Sequence, residues 1–222
     1  MLSSAIDRFN EKRRASGSEG DDAGFTLIEL MVVLLILAIL LAIAIPTFLG
    51  VTKSANDRAA QSNINTAFTN AKALYQQYGQ SYANSNVTGW NNASFVSSLA
   101  AAEPAVNFTA NNSGSTGTVS VWTDSGGGGL VLASYSSSSK NCWLFVDTPG
   151  SPSTPSSAPW GGTPTSNGTV GGAGGTNVVF SQNQGEVFAE IKGDGTAADC
   201  VASQPKIGNG ATYQLGNGGF PS

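Results

Sequence analysis

The sequence predicts an α+β fold in which a long N-terminal helix packs on an antiparallel sheet of about four to five strands. Apolar residues fill one segment near the N-terminus and then recur at steps of three and four up to residue 78. Beyond residue 78, short alternating runs stand between clusters of glycine, serine and asparagine. The first pattern is typical of one continuous helix and the second of a meandering antiparallel sheet.

The first 24 residues differ from everything that follows. They carry nine charged side chains and show almost no apolar periodicity, which is typical of a solvated, unfolded segment. We expect this segment to be a leader that precedes the folded chain.

An apolar segment begins at Phe25. Glu29 is the only charged residue among the 21 residues from Phe25 to Ile45, and a helix of that length spans about 31 Å, close to the thickness of a hydrocarbon core. Basic residues precede it, so the N-terminus is expected to stay in the cytoplasm and the chain after Pro46 to lie outside. Two ordinary interpretations are a permanent anchor and a secretory signal cleaved at Ala42-Ile43-Ala44; the length of the segment disfavours the signal.

The helical pattern continues past the apolar segment, so we predict one helix over residues 25–78, transmembrane over 25–46. Pro46 removes a backbone donor inside it and is expected to kink it, while Gly79 suits a helix end. The second half carries an apolar stripe on one side only, which predicts packing on a partner surface. The stripe consists of Ile64, Ala67, Phe68, Ala71, Leu74, Tyr75 and Tyr78.

Residues 79–222 are expected to form a globular extracellular head. Alternating runs predict strands near residues 118–122, 130–135, 142–146, 178–180 and 187–191. Residues 149–176 are almost wholly proline, serine, threonine and glycine, which indicates a long surface loop.

Composition argues against several classes of function. The chain has no histidine, two cysteines and a formal net charge of −4, which disfavours imidazole catalysis, zinc scaffolds and direct binding of nucleic acid. No phosphate-binding motif is present, and Glu186 and Glu190 are expected to share the solvent face of a strand rather than to act as a catalytic pair. We therefore predict a chain that is not an enzyme and has no metal site and no cofactor.

The junction between leader and apolar segment reads Gly24-Phe25-Thr26-Leu27-Ile28-Glu29-Leu30. This stretch resembles the class III signal of type IV pilins and of the related pseudopilins of type II secretion. The resemblance implies a pilin fold, cleavage after Gly24 by a prepilin peptidase and N-methylation of Phe25. It also implies that Glu29 is the family's acidic fifth residue and that Pro46 is its helix-kinking proline.

Glu29 is a costly residue for a passive anchor. A carboxylate at membrane depth costs about 2.5–3.5 kcal/mol, so it requires a partner. Cleavage after Gly24 would create one, because the new amine of Phe25 lies one helical turn away. Pairing of Glu29 with the Phe25 amine of a neighbouring subunit would fix the axial register of a filament.

The resemblance implies a structural subunit of a type IV pilus or similar filament, serving adhesion, motility or DNA uptake. Its implied partners are copies of itself, minor pilins, the prepilin peptidase, the inner-membrane assembly platform and, before assembly, membrane lipid. The nearest alternative is a minor pilin or a type II secretion pseudopilin. An alternative of another class is a membrane-anchored extracellular domain that binds carbohydrate through Trp90, Trp122, Trp143 or Trp160.

Cys142 and Cys200 lie 58 positions apart in the segment expected to be extracellular. An even pair of cysteines in an oxidising compartment predicts a disulfide, similar to the one that bounds a region of pilins. The alternative is two buried free thiols.

Overall fold

The structure is a computed structural model that describes residues 25–124, 126–149, 168–169, 176–177, 185–193, 197–203, 206–207, 212–216 and 219–221. The chain divides into two compact units, Met1–Phe48 and Leu49–Ser222. The predicted leader with Gly24, the predicted strand at 178–180 and most of the predicted loop at 149–176 lie outside the described residues.

Helix α1 extends over Leu27–Gln77, compared with the predicted 25–78. It ends where Gly79 adopts a φ of +77°, a left-handed conformation that glycine enters without a Cβ penalty. The amide of Gln80 then donates to the carbonyl of Tyr75 at 2.9 Å, which satisfies one of the last helical carbonyls. The end of α1 is therefore set by local backbone chemistry.

A second helix, α2 at Asn92–Ala102, was not predicted. Asn91 is its N-cap and accepts a hydrogen bond from the amide of Ser94 at 3.1 Å. Phe95 and Leu99, one turn apart, are its two buried residues. Because the apolar face has only these two large side chains in an Asn- and Ser-rich context, its periodicity is weak in the sequence.

Nine strands are described. They are β1 (Asn107–Thr109), β2 (Thr118–Thr123), β3 (Leu130–Ser136), β4 (Asn141–Thr148), β5 (Gly168–Thr169), β6 (Thr176–Asn177), β7 (Gly185–Lys192), β8 (Lys206–Ile207) and β9 (Thr212–Gly216). Seven of them form one sheet in the order β1-β2-β3-β4-β7-β9-β5, and β6 pairs with β8. A short 3₁₀ helix spans Ala197–Asp199.

The α+β fold class is confirmed, with a larger sheet than predicted. Four of the predicted runs correspond to β2, β3, β4 and β7. Each of these strands pairs antiparallel with the next one in this order. The one parallel pair among the described strands is β1 with β2. The additional strands have only two to five residues, too few for alternation to be visible in the sequence.

The sheet has an apolar core on each face. On one face, Ile64, Ala67 and Ala71 of α1 pack with a cluster that includes Val121, Leu132 and Phe145. On the other face, a second cluster contains Val131, Leu144, Val146 and Ala189 together with both cysteines. Alternation along each strand sends successive side chains to opposite faces, so the central strands read as almost continuous apolar runs.

Asn92 protects part of the β2 edge. Strand β1 pairs only with residues 118–120 of β2, which leaves the rest of that edge without a strand among the described residues. The Asn92 side-chain amide donates to the carbonyl of Val121 and accepts from the amide of Thr123, both at 3.0 Å. One side chain of α2 thus supplies the two hydrogen bonds that a neighbouring strand would provide.

Candidate functional site

The predicted functional residues concentrate at the start of α1. Thr26 is the residue before the helix, and Glu29 occupies its third position. The Glu29 carboxylate oxygen Oε2 accepts hydrogen bonds from the Thr26 amide at 2.8 Å and from the Thr26 hydroxyl at 2.7 Å. The Glu29 amide in turn donates to the Thr26 hydroxyl at 3.3 Å. This reciprocal arrangement is a capping box, which satisfies helix donors that otherwise have no partner.

The capping role of Thr26 was missed from the sequence. Its signal is the spacing Thr-x-x-Glu directly before an apolar run, which is a recognised helix-start pattern. From the sequence, Glu29 was expected only to pair between subunits. In the structure the same carboxylate also stabilises the beginning of its own helix.

The surface of α1 after Glu29 is apolar on all sides. Large apolar side chains from Phe25 to Val51 are between 48% and 87% exposed in this chain. Among the described residues, α1 is the one helix long and apolar enough to cross a membrane, judged by length and composition. Such a surface is incompatible with water, so lipid or other apolar helices must cover it.

Pro46 lies inside α1, and the helix continues on both sides of it. Next to it, the Thr47 hydroxyl donates to the carbonyl of Ile43 at 2.9 Å. This bond places a side-chain donor near the point where proline cannot donate. The kink expected at Pro46 stays a prediction.

In the second unit, a polar anchor attaches α1 to the sheet. The Lys72 amine lies 2.6 Å from Asp147 Oδ2, and the Tyr82 hydroxyl donates to the same oxygen. Asp147 is almost fully buried, and Lys72 also lies 3.7 Å from Glu186. Burial, and then the Asp147 charge, raise the pKa of Tyr82, so this phenol stays protonated and keeps donating. Sequence periodicity placed Lys72 away from the apolar stripe and did not reveal this contact.

A second polar contact joins α1 to the turn between β3 and β4. Asn56 donates to the hydroxyl of Ser138, and Asp57 accepts from the hydroxyl of Ser139. The Trp143 indole also donates to Asp57, at 3.3 Å. This turn is therefore attached to the helix by side-chain hydrogen bonds as well as by the adjacent core.

The expectation that Glu190 faces solvent is wrong. Glu186 and Glu190 do share one face of β7, but Glu190 is 1% exposed, whereas the Glu186 side chain is 50% exposed. Glu190 accepts from the Asn141 amide at 2.9 Å and lies 3.4 Å from the Lys192 amine. Burial raises the pKa of Glu190 to about 7, against the opposing effect of Lys192.

Cys142 and Cys200 form a disulfide with a Cα–Cα distance of 5.5 Å. Both are fully buried, and the bridge joins β4 to the segment after the 3₁₀ helix. Backbone bonds hold the same segment: the Ser113 amide donates to the Cys200 carbonyl at 2.9 Å, and the Ala202 amide donates to the Ser120 hydroxyl at 3.0 Å.

The described residues contain no group of three or more carboxylate or cysteine side chains placed to hold a metal ion.

The tryptophans named for a carbohydrate site have different positions. Trp143 is 3% exposed and belongs to the core, and Trp160 lies outside the described residues. Trp90 and Trp122 line a common cleft.

Comparison with known proteins places the similarity in the N-terminal segment. A family model described as the prokaryotic N-terminal methylation motif matches residues 21–45, which include Gly24, Phe25 and Glu29. The chain is 36% identical over 72 residues to the type IV major pilin protein PilA of Myxococcus xanthus, covering 32% of this chain and 29% of that protein. It is 44% identical over 59 residues to the type IV wide pilus major component PilA4 of Thermus thermophilus, covering 27% of this chain and 44% of that protein.

The aligned segments thus span less than half the length of each of these relatives. No solved structure matches the chain significantly. The resemblance to type IV pilins is confirmed, and its residues are those that carry the capping box and the exposed apolar helix.

Proposed function

We propose that this chain is a structural subunit of a type IV pilus, inserted in the cytoplasmic membrane through α1 and then polymerised through the same helix. The observation that supports this most strongly is the exposed apolar surface of residues 25–51, headed by the single carboxylate of Glu29 inside a matched methylation motif. A surface of this kind requires lipid in the precursor and neighbouring helices in a filament.

The order of events follows from charge and solubility. The leader, with its charged residues, keeps the precursor N-terminus in the cytoplasm and the head on the other side. A prepilin peptidase cuts after Gly24 and methylates Phe25, which removes the charged leader. The Phe25 end then enters the apolar environment, where Glu29 of a neighbouring subunit pairs with its amine. An assembly platform in the membrane extracts the subunit, since the chain itself has no nucleotide-binding motif.

Within this function, a major subunit is favoured over a minor pilin or a type II secretion pseudopilin. Both relatives are named as major pilus components. Minor pilins of the same filament are expected partners at its tip. Adhesion, motility and DNA uptake are the processes that such a filament would serve.

The mass of the N-terminal peptide tests the proposal. The full chain is expressed in cells with and without a prepilin peptidase, and the mature peptide is expected to begin at Phe25 and to carry one added methyl group only when the peptidase is present. Gly24→Val should block the cut, whereas Gly20→Val, a matched change within the leader, should not. A mature chain that begins at another residue would contradict the proposal.

Filament formation is a separate measurement on the same strains. Sheared surface fractions of cells with the assembly machinery should contain the processed chain in sedimentable filaments. A processed chain that stays entirely in the membrane fraction would leave only a tethered extracellular domain.

A further inference from the structure

A cleft of about 260 Å³ opens on the head, between the loop before α2 and the end of β2. The residues that line it are Ala83, Trp90, Asn91, Asn92, Trp122, Thr123 and Asp124. All of them belong to the second unit, which contains the sheet. The cleft is independent of α1 before residue 49 and therefore of the surface proposed for assembly.

The lining combines two indole rings with short polar side chains. Trp90 and Trp122 are half-buried, and Asn91 contributes an exposed amide group, whereas the Asn92 amide and the Thr123 hydroxyl are already hydrogen-bonded to each other. Among the described residues that line the cleft there is no lysine or arginine, and Asp124 contributes a buried carboxylate. Asp124 also holds the following loop through the amide of Gly126 at 3.0 Å, so the polar side of the cleft is built on a fixed turn.

The Trp90 indole provides a further observation. Its N–H is buried and has no hydrogen-bond acceptor among the described residues. A buried donor without an acceptor is energetically unfavourable. The Trp90 ring itself is held by an edge-to-face contact with Tyr78, with centroids 5.1 Å apart. A ligand oxygen in the cleft could accept from this N–H only after a shift of the ring, because the N–H itself is buried.

We propose that this cleft binds a neutral pyranose sugar. The faces of a pyranose carry C–H groups that pack on an indole ring, and its hydroxyls can accept a hydrogen bond from the Asn91 amide nitrogen. The volume is below the about 300–1,000 Å³ of pockets for drug-sized ligands, so it suits a single sugar ring or chain end. Acidic sugars are disfavoured because Asp124 lies in the lining and no cation does.

Of the three tryptophans in the part of the chain that the structure describes, Trp90 and Trp122 line this cleft. Trp143 is committed to the core and donates to Asp57. The proposal goes beyond the pilus function and does not rest on it, because a head can bind sugar whether or not it polymerises.

The test uses the full chain in a detergent without a sugar headgroup. Cellobiose, lactose and maltose are the neutral probes, galacturonic acid is the acidic probe and choline is the cationic probe. Binding is followed by saturation-transfer NMR and by tryptophan fluorescence. We expect saturable binding of at least one neutral disaccharide, and weaker or no binding of galacturonic acid and choline. Binding to insoluble cellulose distinguishes recognition of a polysaccharide from recognition of a free sugar.

Trp122→Leu removes one indole face while keeping an apolar side chain, and it should weaken neutral-sugar binding by about tenfold or more. Asn91→Asp keeps the N-cap of α2 but replaces an amide donor with a carboxylate, and it should weaken binding several-fold with the fold intact. Val87→Ser, an exposed position outside the lining, is the matched control and should have no effect.

Near-ultraviolet circular dichroism and the intact Cys142–Cys200 bridge report folding of each variant. The proposal is overturned if the wild-type chain binds none of the neutral probes, if choline or galacturonic acid binds more tightly, or if folded Asn91→Asp and Trp122→Leu bind as the wild type does. None of these results depends on filaments, so they leave the pilus proposal to its own test.

Discussion

The Glu29 carboxylate has one role in the structure and a second role in the proposed filament. In the structure it accepts two hydrogen bonds from Thr26 and completes the start of α1. In the proposed filament it also pairs with the Phe25 amine of a neighbour. A carboxylate has about four lone-pair positions, so the second interaction does not require loss of the first. The capping box holds the carboxylate in one position relative to its own helix.

Substitution at Glu29 separates these roles. Glu29→Ala removes both the cap and the charge, and Glu29→Gln keeps an acceptor for Thr26 without the charge. If charge pairing drives assembly, both variants should lower filament yield by about tenfold or more, since the charged Phe25 amine of the neighbour is then left unpaired in an apolar environment at a cost of about 2.5–3.5 kcal/mol. Cleavage after Gly24 should continue in both. The measurement is the amount of processed chain in sheared filaments relative to membranes.

A Glu29→Gln strain with filaments in normal amounts would show that capping alone is required. Thr26→Val is the matched change. It removes the hydroxyl donor at position 26, keeps the shape of that side chain and leaves the charge of Glu29 in place. It should reduce filament yield less than Glu29→Ala does.

Glu190 makes stability depend on pH. In the folded chain the Glu190 carboxyl keeps its proton up to about pH 7, whereas in the unfolded chain it releases the proton near pH 4.5. The folded state therefore binds more protons in this range, and stability falls as pH rises from about 4.5 to beyond 7. Glu190→Gln should remove this loss, stabilising the head at pH 8 by about 1–3 kcal/mol and changing it little at pH 4.

Urea unfolding of the full chain in detergent, at pH values between 4 and 8, measures this effect. The control is Glu103→Gln, which changes a carboxylate at another position in the chain, and it should follow the wild type. Parallel pH dependence of Glu190→Gln and the wild type would contradict the buried titration.

At the scale of elements, the decisive contact is between the second half of α1 and β4. Ala60, Ala67 and Ala71 are buried in the cluster between the helix and the sheet, and Phe68 packs on Phe145 with centroids 4.3 Å apart. The polar anchor at Asp147 lies within the same interface. An apolar surface alone permits sliding, whereas the Lys72–Asp147 pair and the Tyr82 hydroxyl specify one register.

Removing one partner of the polar anchor should destabilise the folded chain more than removing both partners. Lys72→Met leaves a nearly buried Asp147 with one partner fewer and should cost about 2 kcal/mol, a value lowered from that of a fully buried pair because Lys72 is partly exposed. The double variant Lys72→Met/Asp147→Leu should recover part of the loss. Lys140→Met, at an exposed position, is the control and should be neutral.

Urea unfolding of the full chain, followed by near-ultraviolet circular dichroism, gives these differences. A double variant that is less stable than Lys72→Met alone would show that the pair contributes net stability rather than register.

At the scale of the whole molecule, the disulfide closes a segment of 58 residues that contains β7 and the described parts of the long polar stretch before it. In the chain-entropy account, a bridge of this span contributes about 4 kcal/mol. Cys142→Ala/Cys200→Ala should lose most of that value in urea unfolding. Non-reducing peptide mapping checks the bridge itself, and two alkylatable thiols in the native chain would contradict it.

The long helix and four central strands were predictable because each has enough residues for its periodicity to be counted. Helix α2 was not, since only Phe95 and Leu99 mark its buried side. Burial of Glu190 and Asp147 was also beyond prediction, because a carboxylate in an alternating run is equally consistent with solvent or with a partner helix. Cleavage after Gly24 and methylation of Phe25 rest on the motif and stay predictions.

Asn92 has a consequence for a protein whose heads would be crowded together. An unpaired strand edge can pair with the sheet of another molecule, and such pairing leads to irreversible aggregates. Residues 118–120 of β2 pair with β1, and the Val121 carbonyl and Thr123 amide are bonded to Asn92, so these groups of β2 are not available to another copy. Pairing of one sheet with another is therefore disfavoured at β2, which would leave the apolar helix as the surface through which subunits of the proposed filament associate.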